Sequence, residues 1–331
     1  MRAGSRQAPR RRSGGGLLLM TAGVVAGLLI FAFALTGGLN ILTGGSAASE
    51  EKYYFSGAAG ASGAVSPAAD LFFRREAARA DWTEIPVVAH ALGTVEGRKE
   101  TNSREAFLES YAAGQRVFEV DLQLTSDGKL IARHDWDQMS YYNLEQVYVG
   151  VMDWETFMAT PICFCYTPLD IDGLLRLMRI FPDCYIVTDS KDTDEATVRA
   201  QTQALVQAVD RTGDPSLWDR VIIQIYHEEM YDWVKEEAPV TNWIFTLYQL
   251  ANPDYEEIGA FCQERNIAVV TMNASRISSE NSSVLRQYGR KIYLHTVNRL
   301  LEMKAIGSQA DGYYSDYVTP RQLKDVLAQN P

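Results

Sequence analysis

The sequence predicts an α/β fold, a TIM-type (β/α)8 barrel, carried behind an N-terminal transmembrane helix. Three observations lead there. Leu17 to Thr36 is an uncharged run of 20 residues, long enough as a helix to cross a hydrocarbon core of about 30 Å. Beyond Ile85, eight short β-branched or aromatic runs alternate with amphipathic stretches that carry helix-start signals. These units fill roughly 245 residues, the usual size of one barrel, whereas an open doubly wound sheet needs fewer strands and a Gly-rich phosphate turn, which is absent.

Residues 1–16 are a basic cytoplasmic terminus and 17–36 the anchor; 37–66, rich in Gly, Ala and Ser, is a flexible linker, and 67–331 is the barrel with an insertion at 135–166. Arg2, Arg6, Arg10, Arg11 and Arg12 precede the span with no acid among them, so the body is expected outside the cytoplasm on a single-pass membrane anchor. The alternative is a secretory signal cut at the small residues Ser46 to Ser49. The rest of the chain holds 26 basic against 42 acidic residues, a balance of −16. So acidic a body excludes the basic footprint of nucleic-acid binding. Leu71, Phe72 and Phe73 offer a docking point on the barrel. Cys163, Cys165, Cys184 and Cys262 form no C-x-x-C pair and are expected as buried free thiols.

The strand candidates are Ile85 to His90, Arg116 to Leu122, Cys184 to Ser190, Val221 to Tyr226, Trp243 to Gln249, Ala268 to Asn273, Lys291 to Asn298 and Gly312 to Asp316. A tight turn, Thr125 to Gly128, followed by Lys129 to His134, doubles the second strand into a hairpin. Thr167 to Phe181 reads as a helix with Thr167 as N-cap and Pro168 in the first turn. Thr319 and Pro320 repeat the device in the last helix.

Barrel active sites form where the strands end. His90 ends the first strand, and Glu119 and Asp121, two apart on the second, share one face. His134 ends the return strand of the hairpin, while Asp189 and Lys191 stand at the end of the third strand. Three carboxylates without a cysteine ligand suit a hard divalent cation, Mg²⁺ or Ca²⁺. Two histidines beside them suit an acid and a base.

With His90, TNSREAF at 101–107 and FEVDLQLTSDGKLIARHD at 118–135, the chain resembles the glycerophosphodiester phosphodiesterases. The likeness continues through IVTDSK at 186–191, VIIQI at 221–225, TVN at 296–298 and GYYSD at 312–316. The resemblance implies a TIM barrel, a divalent ion on Glu119, Asp121 and Asp189, and His90 and His134 as acid and base on a small-molecule or lipid-derived phosphodiester. It implies a substrate or phosphate role for Lys191 and Asn102, with Trp136 at the pocket and His295 either there or a satisfied core histidine. Three positions depart from the family pattern: Ala91 replaces a phosphate-gripping Arg, Thr101 a Glu, and Asp189 a longer Glu. Lys191, or else Arg98 or Arg133, has to supply the missing cation.

The insertion carries eight aromatics in 32 residues, among them Trp136, Trp154, Phe157, Phe164 and Tyr166. That density suits a lid over substrate or a small satellite core. His227 is read as a surface residue. The activities left open are hydrolysis of a glycerophosphodiester, a phospholipase C or D action on intact lipid, and a non-catalytic surface or cell-wall binding barrel.

Overall fold

Strand-forming runs separated by helices close into a ring. Strands β1 (Val87–Ala89), β2 (Val117–Leu124), β4 (Tyr185–Asp189), β5 (Val221–Ile225), β6 (Asn242–Thr246), β7 (Val269–Asn273), β8 (Lys291–His295) and β9 (Gly312–Ser315) are the staves. Each pairs in parallel with the next and β9 pairs with β1, so the barrel has no open edge. The return strand β3 (Leu130–Ala132) runs antiparallel to the end of β2, as the turn at 125–128 predicts. This computed structural model describes residues 81–136 and 150–328, all within the unit Pro67–Pro331. The predicted segments 1–16, 17–36 and 37–66 and the Leu71 to Phe73 contact lie outside the described residues. Among the described residues, no helix is long and apolar enough to cross a membrane.

The helices are α1 (Arg104–Ala112), α2 (Trp154–Ala159), α3 (Ile171–Ile180), α4 (Glu195–Thr212), α5 (Glu229–Glu237), α6 (Tyr255–Glu264), α7 (Ser279–Gln287), α8 (Leu300–Ile306) and α9 (Pro320–Ala328). Thr319 caps α9 as expected, its hydroxyl accepting from Gln322 N at 3.3 Å. The start of α3 is a correction. Its cap is Asp170, which accepts from Gly173 N at 2.8 Å. Thr167 instead bonds Glu105 through its N–H and its hydroxyl, so its side chain is engaged with α1 and the cap falls to Asp170 three residues later.

Alternation along each strand decides what fills the barrel. Toward the strand starts the inward residues are apolar: Val88, Val117, Tyr185, Val187, Ile222, Ile244, Val269 and Tyr293 form one buried cluster, with Trp82 against it. The Trp82 indole N–H donates to Asn242 Oδ1 at 3.1 Å, and the Tyr293 hydroxyl donates to Thr83 O at 3.0 Å. Two residues further along, the same inward phase turns polar, with Glu119 and Asp121 on β2, Asp189 on β4, Gln224 on β5 and Thr246 on β6. The interior therefore runs from an apolar floor to a polar mouth.

Candidate active site

β1 ends where the polar mouth begins. His90–Leu92 make one 3-10 turn, and Gly93 follows at φ +92°, where an added Cβ would stand 2.0 Å from Ser110 Oγ of α1. Only glycine fits so close an approach in that conformation, and the turn carries His90 back over the barrel. Register places Asp121 of β2 directly beside Asp189 of β4. Arg133 N donates to Asp121 O at 2.9 Å, which ties the end of the hairpin, and hence His134, to the same spot.

His90, His134, Glu119, Asp189, Lys191 and His295 all line one cavity of about 170 Å³ at the mouth. Asp121 lies at its base with no exposed surface. Oxygens of Glu119, Asp121 and Asp189 lie within 4.8 Å of one another. One oxygen of each carboxylate is held by the protein: Glu119 Oε2 accepts from Ala91 N at 2.6 Å, Asp121 Oδ2 from Asn102 Nδ2 at 2.8 Å, and Asp189 Oδ1 from the Tyr226 hydroxyl. The opposite oxygens turn to a common centre. Asp121 Oδ1 and Asp189 Oδ2 there accept from the Lys191 ammonium, and Glu119 Oε1 is buried without a hydrogen-bond partner. Such a donor set, oriented from behind and short of positive charge, fits a hard divalent cation.

The electrostatics agree. Burial, then the neighbouring Asp121 charge, pushes Glu119 up to about 8. Burial also raises Asp189, against the pull of Lys191. Asp121 feels burial too, but Lys191 and the histidines outweigh it and hold it below the ordinary carboxylate range. Lys191 is pushed up despite burial by the three carboxylates, so it stays an ammonium.

The two histidines differ. Burial works to lower His90, but a 2.7 Å bond from Nδ1 to Asp316 and the charges of Glu119 and Asp121 prevail, raising it to about 10. His134 Nδ1 lies 2.5 Å from Asp135, with 38% of its side chain exposed. His295 is the opposite of His90: burial and the nearby cations His90, Arg276 and Lys191 push it down to about 4, so it is neutral at physiological pH. Its Nε2 is buried without a partner.

Several expectations change. Asn102 reaches no substrate space; wholly buried, it clamps Asp121 through its side-chain amide and carbonyl. Trp136 does not line the cavity: its indole N–H donates to Leu124 O at 3.1 Å, with its ring over Arg133 and edge-on to Phe157. Trp136 thus packs in a small satellite core, and residues 137–149 of the insertion lie outside the described residues. Arg133 is 2% exposed within that core, which leaves Lys191 as the only lysine or arginine lining the cavity among the described residues. His227 is not simply a surface residue, since its ring bridges Glu229 and Thr193 O. Cys184 and Cys262 are buried as expected, but Cys165 is exposed and Cys163 half-buried.

Sequence reasoning missed Tyr226, which orients Asp189, and the Asp316 and Asn298 pair behind His90, where Asn298 Nδ2 donates to Asp316 Oδ2 at 2.7 Å. Their signal was available. Each lies at or just past a strand end, Tyr226 in the inward phase Ile222, Gln224, Tyr226.

Fold and mouth together define a barrel hydrolase whose acidic centre is flanked by two histidines. Residues 93–319 match the model of the glycerophosphoryl diester phosphodiesterase family, and the chain belongs to that family and is a phosphodiesterase. The fold is similar to that of solved structures at low identity. A glycerophosphodiester phosphodiesterase from Parabacteroides distasonis is 14% identical at TM-score 0.59, covering 74% of this chain and 97% of that one. An Oleispira antarctica phosphodiesterase, solved with the product sn-glycerol-3-phosphate, is 14% identical at TM-score 0.60, covering 74% and 97%. One from Agrobacterium tumefaciens is 16% identical at TM-score 0.55, covering 73% and 99%.

Proposed function

We propose that this chain hydrolyses glycerophosphodiesters with His90 and His134 as general acid and base beside a divalent-metal centre on Glu119, Asp121 and Asp189. The single observation that supports the reading is the convergence of the three carboxylates, each with one oxygen held from behind by a protein donor and the other turned to a common centre that Lys191 shares at the base of the cavity. A bound Mg²⁺ or Ca²⁺ would polarise a phosphoryl oxygen and lower the pKa of a neighbouring hydroxyl. Lys191 supplies the positive charge for a phosphate that Ala91 cannot. Because Asp316 fixes Nδ1 of His90 and holds its ring protonated, His90 is the acid that protonates the leaving alcohol at Nε2. His134 is the base that takes the proton of the attacking substrate hydroxyl, with Asp135 steadying the imidazolium that forms; water then opens the resulting cyclic phosphate, giving its proton to the now neutral His90 while His134 returns one to the departing ring oxygen. His295 offers a neutral Nε2 to the rest of the substrate.

We also propose that residues 17–36 anchor the chain and that the barrel works outside the cytoplasm. Product analysis on a panel of diesters separates the activities. Glycerol phosphate from a deacylated diester supports this reading, whereas diacylglycerol or a lasting cyclic phosphate as the sole product points to a phospholipase, and no turnover of any diester contradicts an enzyme.

A further inference from the structure

Seven large apolar side chains are exposed among the described residues, and six of them sit at the mouth end of the barrel. Tyr248 lies two residues past β6 and Tyr317 two past β9; Leu301 is in the first turn of α8, which follows β8. Val151 and Trp154 flank the tip of the β2–β3 hairpin, where Ser126 N donates to Met152 O at 2.8 Å and Trp154 N to Asp127 Oδ1 at 2.9 Å. Phe164, 79% exposed, tips a turn joined to the β1–α1 loop by the Tyr166 hydroxyl, which donates to Glu96 at 2.8 Å. Only Leu327, near the end of α9, is elsewhere.

We propose that this apolar rim docks the mouth onto a phospholipid bilayer, so that diesters reach the cavity from the lipid surface. Exposed apolar groups gathered at one end of a domain are the mark of a protein or membrane contact. Aromatic side chains suit the bilayer interface, and a cavity of about 170 Å³ holds a phosphoryl group and its nearest substituent but leaves a longer one lying across the rim. The sequence also names the occupant. An uncharged 20-residue run and then 30 residues rich in Gly, Ala and Ser precede the barrel in the sequence, so the anchor proposed above would keep a membrane available to the mouth. With a balance of −16 on the body, the contact is apolar rather than electrostatic. The proposal rests on the phosphodiesterase reading for its substrate but not for the contact.

The test reconstitutes the full chain into phosphatidylcholine vesicles carrying brominated acyl chains and reads tryptophan fluorescence. Trp154 is quenched, the quenching survives high salt, and Trp154→Phe abolishes it. No quenching, or equal quenching in that variant, overturns the proposal. In parallel, Phe164→Ser with Leu301→Ser lowers turnover of a vesicle-borne lysophospholipid by about 10-fold or more, the scale of losing two side chains from an apolar phase, and spares soluble glycerophosphocholine. Equal losses on both, or a rim occupied by a second copy in solution, also overturn it. Quenching without any turnover of glycerophosphocholine would instead contradict the proposed function and leave the docking intact.

Discussion

Replacing Asp316 by Asn removes the charge behind His90 while keeping the side chain's size. In the native site Oδ1 accepts from His90 Nδ1 and Oδ2 from Asn298 Nδ2, so the carboxylate serves two donors. An amide has one acceptor, and keeping Asn298 turns its NH₂ toward the imidazole, which then cannot hold a proton on Nδ1. An opposite charge at this range sustains a pKa by about 1 to 3 pH units. His90 is raised to about 10, and bound metal, by offsetting Glu119 and Asp121, lowers the basic limb of wild type and variant together; the gap between limbs is the Asp316 contribution. Measured about 1.5 pH units below the wild-type limb, a displacement of 1 to 3 units cuts the protonated acid, and kcat with it, by about 1.3-fold to about 30-fold. The loss fades at lower pH. A nitrophenyl leaving group needs no proton and restores the rate. The assay is the pH profile of kcat with NMR titration of the ring. An unmoved limb, or a loss equal at every pH and for both leaving groups, refutes the assignment.

Asn102→Ala unclamps Asp121 and weakens divalent binding by about 10- to 100-fold, read by calorimetry, without touching substrate. His134→Ala costs on the order of 10²-fold in kcat on every substrate, and the nitrophenyl ester rescues little of it. Gly93→Ala forces a Cβ onto Ser110 at positive φ and destabilises the fold by about 1–3 kcal/mol, seen as a lowered denaturation midpoint. Protease added to intact cells should remove the barrel; survival there with digestion after lysis reverses the orientation.

The barrel was legible because period-2 strands and capped helices are local signals, and every strand candidate became a strand within a few residues. The convergence of Glu119 and Asp121 was legible for the same reason, since E-x-D on one strand has to face one way. What was not legible depended on pairs distant in sequence. That Asn102 faces Asp121 rather than substrate follows from packing of the β1–α1 loop, where Asn102 takes φ 49°. Trp136 carried only an aromatic-density signal, which a satellite core satisfies as well as a lid, and the Arg133 guanidinium beneath it decided for the core. Asp316 lies 226 residues from His90, and nothing local to either announces the bond.

The central claim is that Glu119, Asp121 and Asp189 hold the metal on which hydrolysis depends. Its most direct test strips the purified full chain of metal and follows glycerol phosphate release from glycerophosphocholine as Mg²⁺ or Ca²⁺ is returned. No turnover is expected in excess EDTA, with saturable recovery on adding metal and none at any metal concentration for Asp121→Asn; full turnover in EDTA, or native turnover in that variant, would contradict the metal assignment.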